Sequence, residues 1–133
     1  MYHVSHIHLW KYVIGLLAVF PVNVYQFKIK ANSRSYDYFM RAVITAAGRS
    51  SRLRPLTNNL PKGLLAVGQS TMLRRSVEAL SASGHDEIIV VVGFQRAKLM
   101  EHLGPSVKYV HNPFYETTNN LASLWFALSR FGS

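Results

Sequence analysis

The 133-residue chain has no cysteine. That excludes a disulfide framework and any thiolate metal site, and it fits a reducing cytoplasm. Acidic side chains are scarce, six against fifteen Lys and Arg, for a formal charge of +9. No apolar stretch is long enough to cross a bilayer, which takes about 20 apolar residues. The nearest candidate, residues 12–22, is interrupted by Gly15 and Pro21. Its length resembles a signal-peptide core, but Asn23-Val24-Tyr25-Gln26 is a poor cleavage site. Also missing is any His/Ser/Asp or His/Cys constellation of the kind used in nucleophilic catalysis. What the chain does have is hydrophobic content, 49%, enough for a core and too much for a disordered tail.

The positive charge raises three partner classes: nucleic acid, an anionic membrane surface, and phosphorylated small molecules. Residues 1–39 carry Lys11, Lys28, Lys30 and Arg34 against Asp37. Much of the remaining excess falls in one loop, without the repeated basic runs or interleaved aromatics of a nucleic-acid surface. Small-molecule phosphate is therefore favoured and no nucleic acid is expected. A membrane-surface protein anchored through residues 1–39 remains an alternative.

Residues 1–39 differ in character from the rest of the chain. His3, His6 and His8 crowd the start, a pattern that can bind metal but that also suits an unstructured extension. Met40 stands directly before Arg41-Ala42-Val43-Ile44, where a self-contained domain can begin. The expectation is that 1–39 is an extension outside the fold and that 40–133 forms the folded unit.

From Met40 onward strands and helices alternate. Residues 42–46 read as a buried strand, and 64–67 as a brief strand closed by Gly68. A helix is expected over 71–83, with Leu73, Val77 and Leu80 on one face, capped by Ser70 or Thr71 and stopped at Gly84. The β-branched run at 87–92 suits a strand covered on both faces. A second helix is expected at 95–103, then a strand at 107–111 broken by Asn112-Pro113. A third helix starts at Asn119 or Asn120, with Leu121, Leu124, Trp125 and Leu128 as its buried face. The order predicts a Rossmann-like α/β fold: a parallel sheet, right-handed crossovers and helices on both faces. Ligands in such sheets bind at the carboxyl ends of the strands. The loops 47–62, 93–95 and 112–120 should therefore meet on one face.

The first of these loops carries the strongest chemical signal. Strand 42–46 breaks at Ala46-Ala47-Gly48 into a loop bearing Arg49, Arg52, Arg54 and Lys62, with no acid between them. Small residues at the strand end let a ligand approach the backbone, and a cationic, hydroxyl-bearing loop suits phosphate. Arg49 and Arg54 can equally be solvated loop charges.

Ala46-Ala47-Gly48-Arg49-Ser50-Ser51-Arg52-Leu53, then Pro55-Leu56-Thr57 and Pro61-Lys62, resembles the signature of nucleotidyltransferases that make nucleoside-diphosphate derivatives. The block from Asn112 to Trp125 is closer to the phosphocholine cytidylyltransferase-like branch than to the sugar-phosphate branch. The resemblance covers about 40–130 and implies the amino-terminal part of that fold. The reaction implied is attack of a phosphate monoester, such as phosphocholine or a sugar phosphate, on a nucleoside triphosphate, CTP favoured, with release of pyrophosphate.

The resemblance also implies residue roles. Backbone around Ala46, Ala47 and Gly48, with Ser51, approaches the nucleotide. Arg52 and Lys62 hold phosphate and act in catalysis. Asn119, Asn120 and Ser123 read the base or acceptor, although either asparagine can also serve as a helix cap. Trp125 is read as core. Ser50 stands where many members have a second glycine. The family further implies Mg²⁺ on an aspartate beyond the third helix, and none of Glu78, Asp86, Glu87, Glu101 or Glu116 matches that position. The expectation is an incomplete form, with no metal ligand of its own, one sheet edge and part of a helix face uncovered. Nucleotide binding without turnover is the alternative.

Overall fold

The computed structural model describes residues 10–13, as backbone, 22–30 and 37–131. His3, His6 and His8 lie outside the described residues. Strand β1 (Trp10–Val13) and β2 (Asn23–Lys30) lead into β3 (Tyr38–Ala46). A loop with two short 3-10 turns leads to the small hairpin β4 (Ala66–Val67) and β5 (Ser70–Thr71). Then come α1 (Met72–Ala82), β6 (Glu87–Val92), α2 (Arg96–Leu103), β7 (Lys108–His111) and α3 (Asn120–Phe131).

The main sheet has the order β1-β2-β3-β6-β7. The β3–β6 and β6–β7 pairs are parallel, while β1–β2 and β2–β3 are antiparallel. The Rossmann-like parallel unit expected from the sequence is present, extended on one side into a mixed sheet. Side-chain alternation splits the core into two layers. Ala42, Ile44, Ile88, Val90 and Val92 face α1 and α2 through Leu73, Val77, Leu80, Leu99 and Leu103. Val43, Ile89, Val91 and Val110 face α3 through Leu124 and Ala127. Both faces are covered, which is why β6 is an unbroken apolar run with every residue buried.

The first two helices obey their sequence signals. Thr71 Oγ1 accepts from the Arg74 amide at 3.2 Å and caps α1. Gly84 comes just after the helix with φ +82, a conformation that favours glycine.

Two expectations are corrected. The first concerns residues 1–39. Within them, β2 pairs with β3 from Asn23↔Thr45 to Lys30↔Tyr38. Val22 and Val24 enter one core layer, Tyr25 and Phe27 the other. The alternation along 22–27 is therefore a real strand pattern, and β2 satisfies an edge of β3 that would otherwise present open hydrogen-bonding groups.

The second correction concerns α3. Its buried residues are Ser123, Leu124 and Ala127, while Leu121 and Trp125 are 69% and 62% exposed. The buried stripe is turned by about a quarter of the helix circumference from the expected one. Two contacts account for this. Ser123 Oγ accepts from Asn112 Nδ2 at 3.0 Å, and Ala127, fully buried, lets the helix approach the sheet closely. Trp125 is thus not core; it meets Phe126 edge-on, with ring centroids 5.1 Å apart.

At the opposite end of the strands from the loops, Glu87 on β6 bridges Arg41 of β3 and Lys108 of β7. Arg41 also donates to the Phe131 carbonyl, tying the end of α3 to the sheet.

Candidate active site

The parallel strands deliver their carboxyl ends to one rim. The Phe94 amide donates to the Ala47 carbonyl at 2.8 Å, and the Asn112 amide to the Val92 carbonyl at 2.9 Å. The three loops after β3, β6 and β7 are therefore linked backbone to backbone. Gly93 makes this possible: a Cβ there would lie 2.8 Å from the Ala47 carbonyl oxygen and 2.7 Å from the Tyr115 Cβ. Arg49 adds a side-chain link. Its guanidinium meets Glu116 at 2.7 Å and lies 5.0 Å from the centre of the Phe94 ring. It is therefore a partnered group that joins all three loops, although it remains exposed.

The loop after β3 is held from within. Ser50 takes a left-handed conformation, φ 53, and its carbonyl accepts from the Leu53 amide at 3.0 Å and from Thr57 Oγ1 at 2.9 Å. Thr57 is 2% exposed, so its hydroxyl serves as a buried staple for the loop. Farther on, a 3-10 turn over Lys62–Leu64 places Lys62. Gly63 in that turn is packed on α1, where a Cβ would approach Leu73 Cβ to 3.1 Å.

The loop after β7 is organised by Asn112, which is 1% exposed. Its Nδ2 donates to Thr118 Oγ1 and Ser123 Oγ, both at 3.0 Å, and its Oδ1 accepts from the Phe114 amide at 2.9 Å. The sequence alone marks Asn112 only as a strand breaker. An Asn between a strand and a proline, able to form a turn with the backbone two residues on, was the available signal.

These elements enclose a cleft of about 430 Å³. Of the residues expected at the site, Ala46, Gly48, Arg52, Lys62, Asn119 and Asn120 line it. Gly48 has open space where a Cβ would stand, so the backbone there is free to be approached. Three expected residues are elsewhere. Ala47 is 2% exposed and faces the core, its carbonyl committed to Phe94. Ser51 is exposed outside the lining, and its neighbour Ser50 takes the place at the cleft. Ser123 is buried beneath Asn112, its hydroxyl accepting from the Asn112 amide. Asn119 caps α3, its Oδ1 accepting from the Leu121 and Ala122 amides at 3.1 and 3.2 Å. That leaves its NH₂ group for the cleft.

Sequence reasoning missed Thr45, Gly63 and Thr118 in the lining, and also Asn23 at the start of β2 with Val22 just before it. Thr45 carries the clearest unspent hydrogen bond. Its Oγ1 is buried with no partner among the described residues. A buried hydroxyl in that state costs on the order of 1–3 kcal/mol.

The charged lining residues are cations, Arg52 and Lys62. Burial pushes the Lys62 ammonium below the ordinary lysine value. Arg52 offers a planar fork of donors and Lys62 a compact charge. The other polar groups are amides and hydroxyls, and among the described residues no carboxylate lines the cleft. Among the described residues no cluster of three His, Asp or Glu is placed to hold a metal. This donor set suits anionic oxygens and the edge of a polar ring. It does not fit Mg²⁺, which prefers carboxylate and phosphate oxygens.

No helix among the described residues is long and apolar enough to cross a membrane. Residues 42–133 match the model of the MobA-like NTP transferase domain. The chain is similar to a choline-phosphate cytidylyltransferase of Streptococcus pneumoniae, with 39% identity over 89 residues, 65% of this chain and 38% of that protein. A 2-aminoethylphosphonate cytidylyltransferase of Lancefieldella rimae is 36% identical over 65% of this chain and 36% of its own length. A UTP–glucose-1-phosphate uridylyltransferase of Haloferax volcanii is 35% identical over 54% of this chain and 32% of its own length. The solved structure of CTP:phosphocholine cytidylyltransferase from Streptococcus pneumoniae superposes with a TM-score of 0.57 at 38% identity, covering 66% of this chain and 39% of that one. The chain thus spans less than two-fifths of the length of these relatives. With its motif-bearing loop, its parallel strands and its cationic cleft at their carboxyl ends, the chain belongs to the MobA-like NTP transferase family.

Proposed function

We propose that the cleft binds a nucleoside triphosphate, with CTP favoured, and serves nucleotidyl transfer to a phosphate monoester such as phosphocholine or a sugar phosphate. In that reaction an acceptor phosphate oxygen bonds to the α-phosphorus, the bond from the α-phosphorus to the bridging oxygen breaks, and pyrophosphate leaves with its electron pair. Such transfer depends on positioning and on positive charge around the phosphates. The observation that carries the reading is that Arg52 and Lys62, ten residues apart in sequence, line one cleft with the amides of Asn119 and Asn120. CTP is favoured because two of the similar proteins are cytidylyltransferases by name. Mg²⁺ is expected to arrive with the triphosphate oxygens rather than on residues of this cleft. A cytoplasmic location, where nucleoside triphosphates are abundant, completes the reading.

A second reading is nucleotide binding without turnover, favoured by the lack of any carboxylate among the described residues of the cleft lining. One experiment separates them. Pyrophosphate release is measured with CTP plus phosphocholine or glucose 1-phosphate, with and without Mg²⁺, beside calorimetric binding of CTP. Release that depends on an acceptor supports transfer. Binding without release supports the second reading, and absence of both overturns the assignment of the cleft.

A further inference from the structure

This inference rests on the cleft being the nucleotide site. The family match begins at residue 42, yet Val22 and Asn23, which line the cleft, lie upstream of it. They are held there firmly. The β2–β3 ladder begins at Asn23 and runs to Lys30. Val22 and Val24 are buried in the layer under α1 and α2, while Tyr25 and Phe27 are buried in the layer under α3. Asn23 is thus fixed at the end of a strand anchored on both faces of the sheet.

Its cross-strand partner in the register is Thr45. Thr45 also lines the cleft, is 7% exposed, and keeps its unpartnered hydroxyl. The two residues therefore form a neutral polar pair on adjacent strands. Arg52 and Lys62 supply the charge that a triphosphate requires, while Asn23 and Thr45 offer neutral donors and acceptors at the β2–β3 side of the same cleft. An amide offers both at once, as does a hydroxyl, and this matches the edge of a nucleobase. Buried polar groups left open in a protein call for a partner, and a ligand can supply it.

We propose that Asn23, with Thr45 opposite it, reads the base edge of the bound nucleotide, so that the upstream strand is part of the specificity machinery. Asn23 then contributes a contact that the family-matched region 42–133 does not contain.

The test uses the full chain and calorimetry with CTP, UTP and inorganic tripolyphosphate, the last probing the cationic grip alone. Circular dichroism confirms folding. N23A should weaken the preferred pyrimidine triphosphate about tenfold, the loss of one hydrogen bond, and narrow the CTP/UTP ratio, while tripolyphosphate binding stays at the wild-type value. N23D keeps the side-chain size but only accepts hydrogen bonds, so it should raise the CTP/UTP ratio, because cytosine presents an amino donor where uracil presents an oxygen. T45V, of the same shape, should weaken CTP without weakening tripolyphosphate. If N23A and N23D both keep wild-type CTP and UTP affinities, the proposal is overturned while the phosphate reading stands. If K62A leaves both tripolyphosphate and CTP binding unchanged, the nucleotide reading of the cleft itself falls, and this inference falls with it. Should N23A fail to fold, the N23D ratio decides.

Discussion

Gly93 and Tyr115 are packed so tightly that a single methyl group at residue 93 would stand 2.7 Å from the Tyr115 Cβ and 2.8 Å from the Ala47 carbonyl oxygen. Neither neighbour can yield cheaply, because one is backbone and the other is a side chain at its root. G93A is expected to destabilise the fold by about 1–3 kcal/mol and to part the loops after β3 and β7. Urea denaturation with CTP calorimetry checks this. A variant with wild-type midpoint and affinity would show that the rim does not depend on that contact.

Lys62 is held partly out of water, and its ammonium loses its proton at a lower pH than the ordinary value of 10.5. Triphosphate affinity should therefore decline as pH rises toward 10.5, earlier than solvent-exposed lysines titrate. K62R should remove that decline, because a guanidinium stays charged throughout. K62A should lower affinity by roughly ten- to a hundredfold at neutral pH, the worth of one charge-assisted hydrogen bond. Calorimetry across the pH series reads both effects.

Glu87 offers a pH test of the fold that leaves the site alone. Burial alone would raise its carboxyl pKa, but hydrogen bonds from Lys108 and Arg41 and their charges outweigh that, and the net shift is downward from 4.5. A carboxylate with a depressed folded value adds stability that is present above its unfolded value. That stability is lost as pH falls through the folded value. Thermal denaturation should thus show stability dropping below about pH 4.5, and E87Q should flatten that drop while lowering stability at neutral pH. An unchanged acid limb in E87Q would remove the cluster from the account.

The rotation of α3 predicts an asymmetry between two neighbours. L124A, at a residue 4% exposed, should cost about 2–5 kcal/mol. W125A, at a residue 62% exposed, should cost far less in spite of the larger side chain. Equal losses in guanidinium denaturation would mean that the indole is packed as firmly as Leu124 and would overturn this rotation of α3.

The sequence is legible where the signal is local. The run 87–92, the stripe Leu73, Val77 and Leu80, and the Thr71 cap each depend on neighbours a few residues away, and each is found in the structure. It misleads where the deciding partner is distant. On α3 the apolar residues alone suggest a stripe through Leu121 and Trp125, but Asn112, eleven residues before Ser123, fixes the helix rotation. Likewise 22–30 looks separate from the domain by composition, and only pairing with β3 reveals it as a strand.

By itself, the sequence determined that this protein is an α/β domain with a cationic loop after its first parallel strand, and that Arg52 and Lys62 belong to a nucleotidyltransferase-like motif. Periodicity, caps and motif spacing are properties of contiguous residues, so they are visible without coordinates. Only the tertiary structure decided which groups share the cleft. It set Arg52 and Lys62 beside Asn119 and Asn120, committed Ser123 to Asn112, paired Arg49 with Glu116, and brought Asn23 opposite Thr45. These outcomes arise from strand register, helix rotation and close backbone approach at Gly93, which are set by packing between segments far apart in the chain.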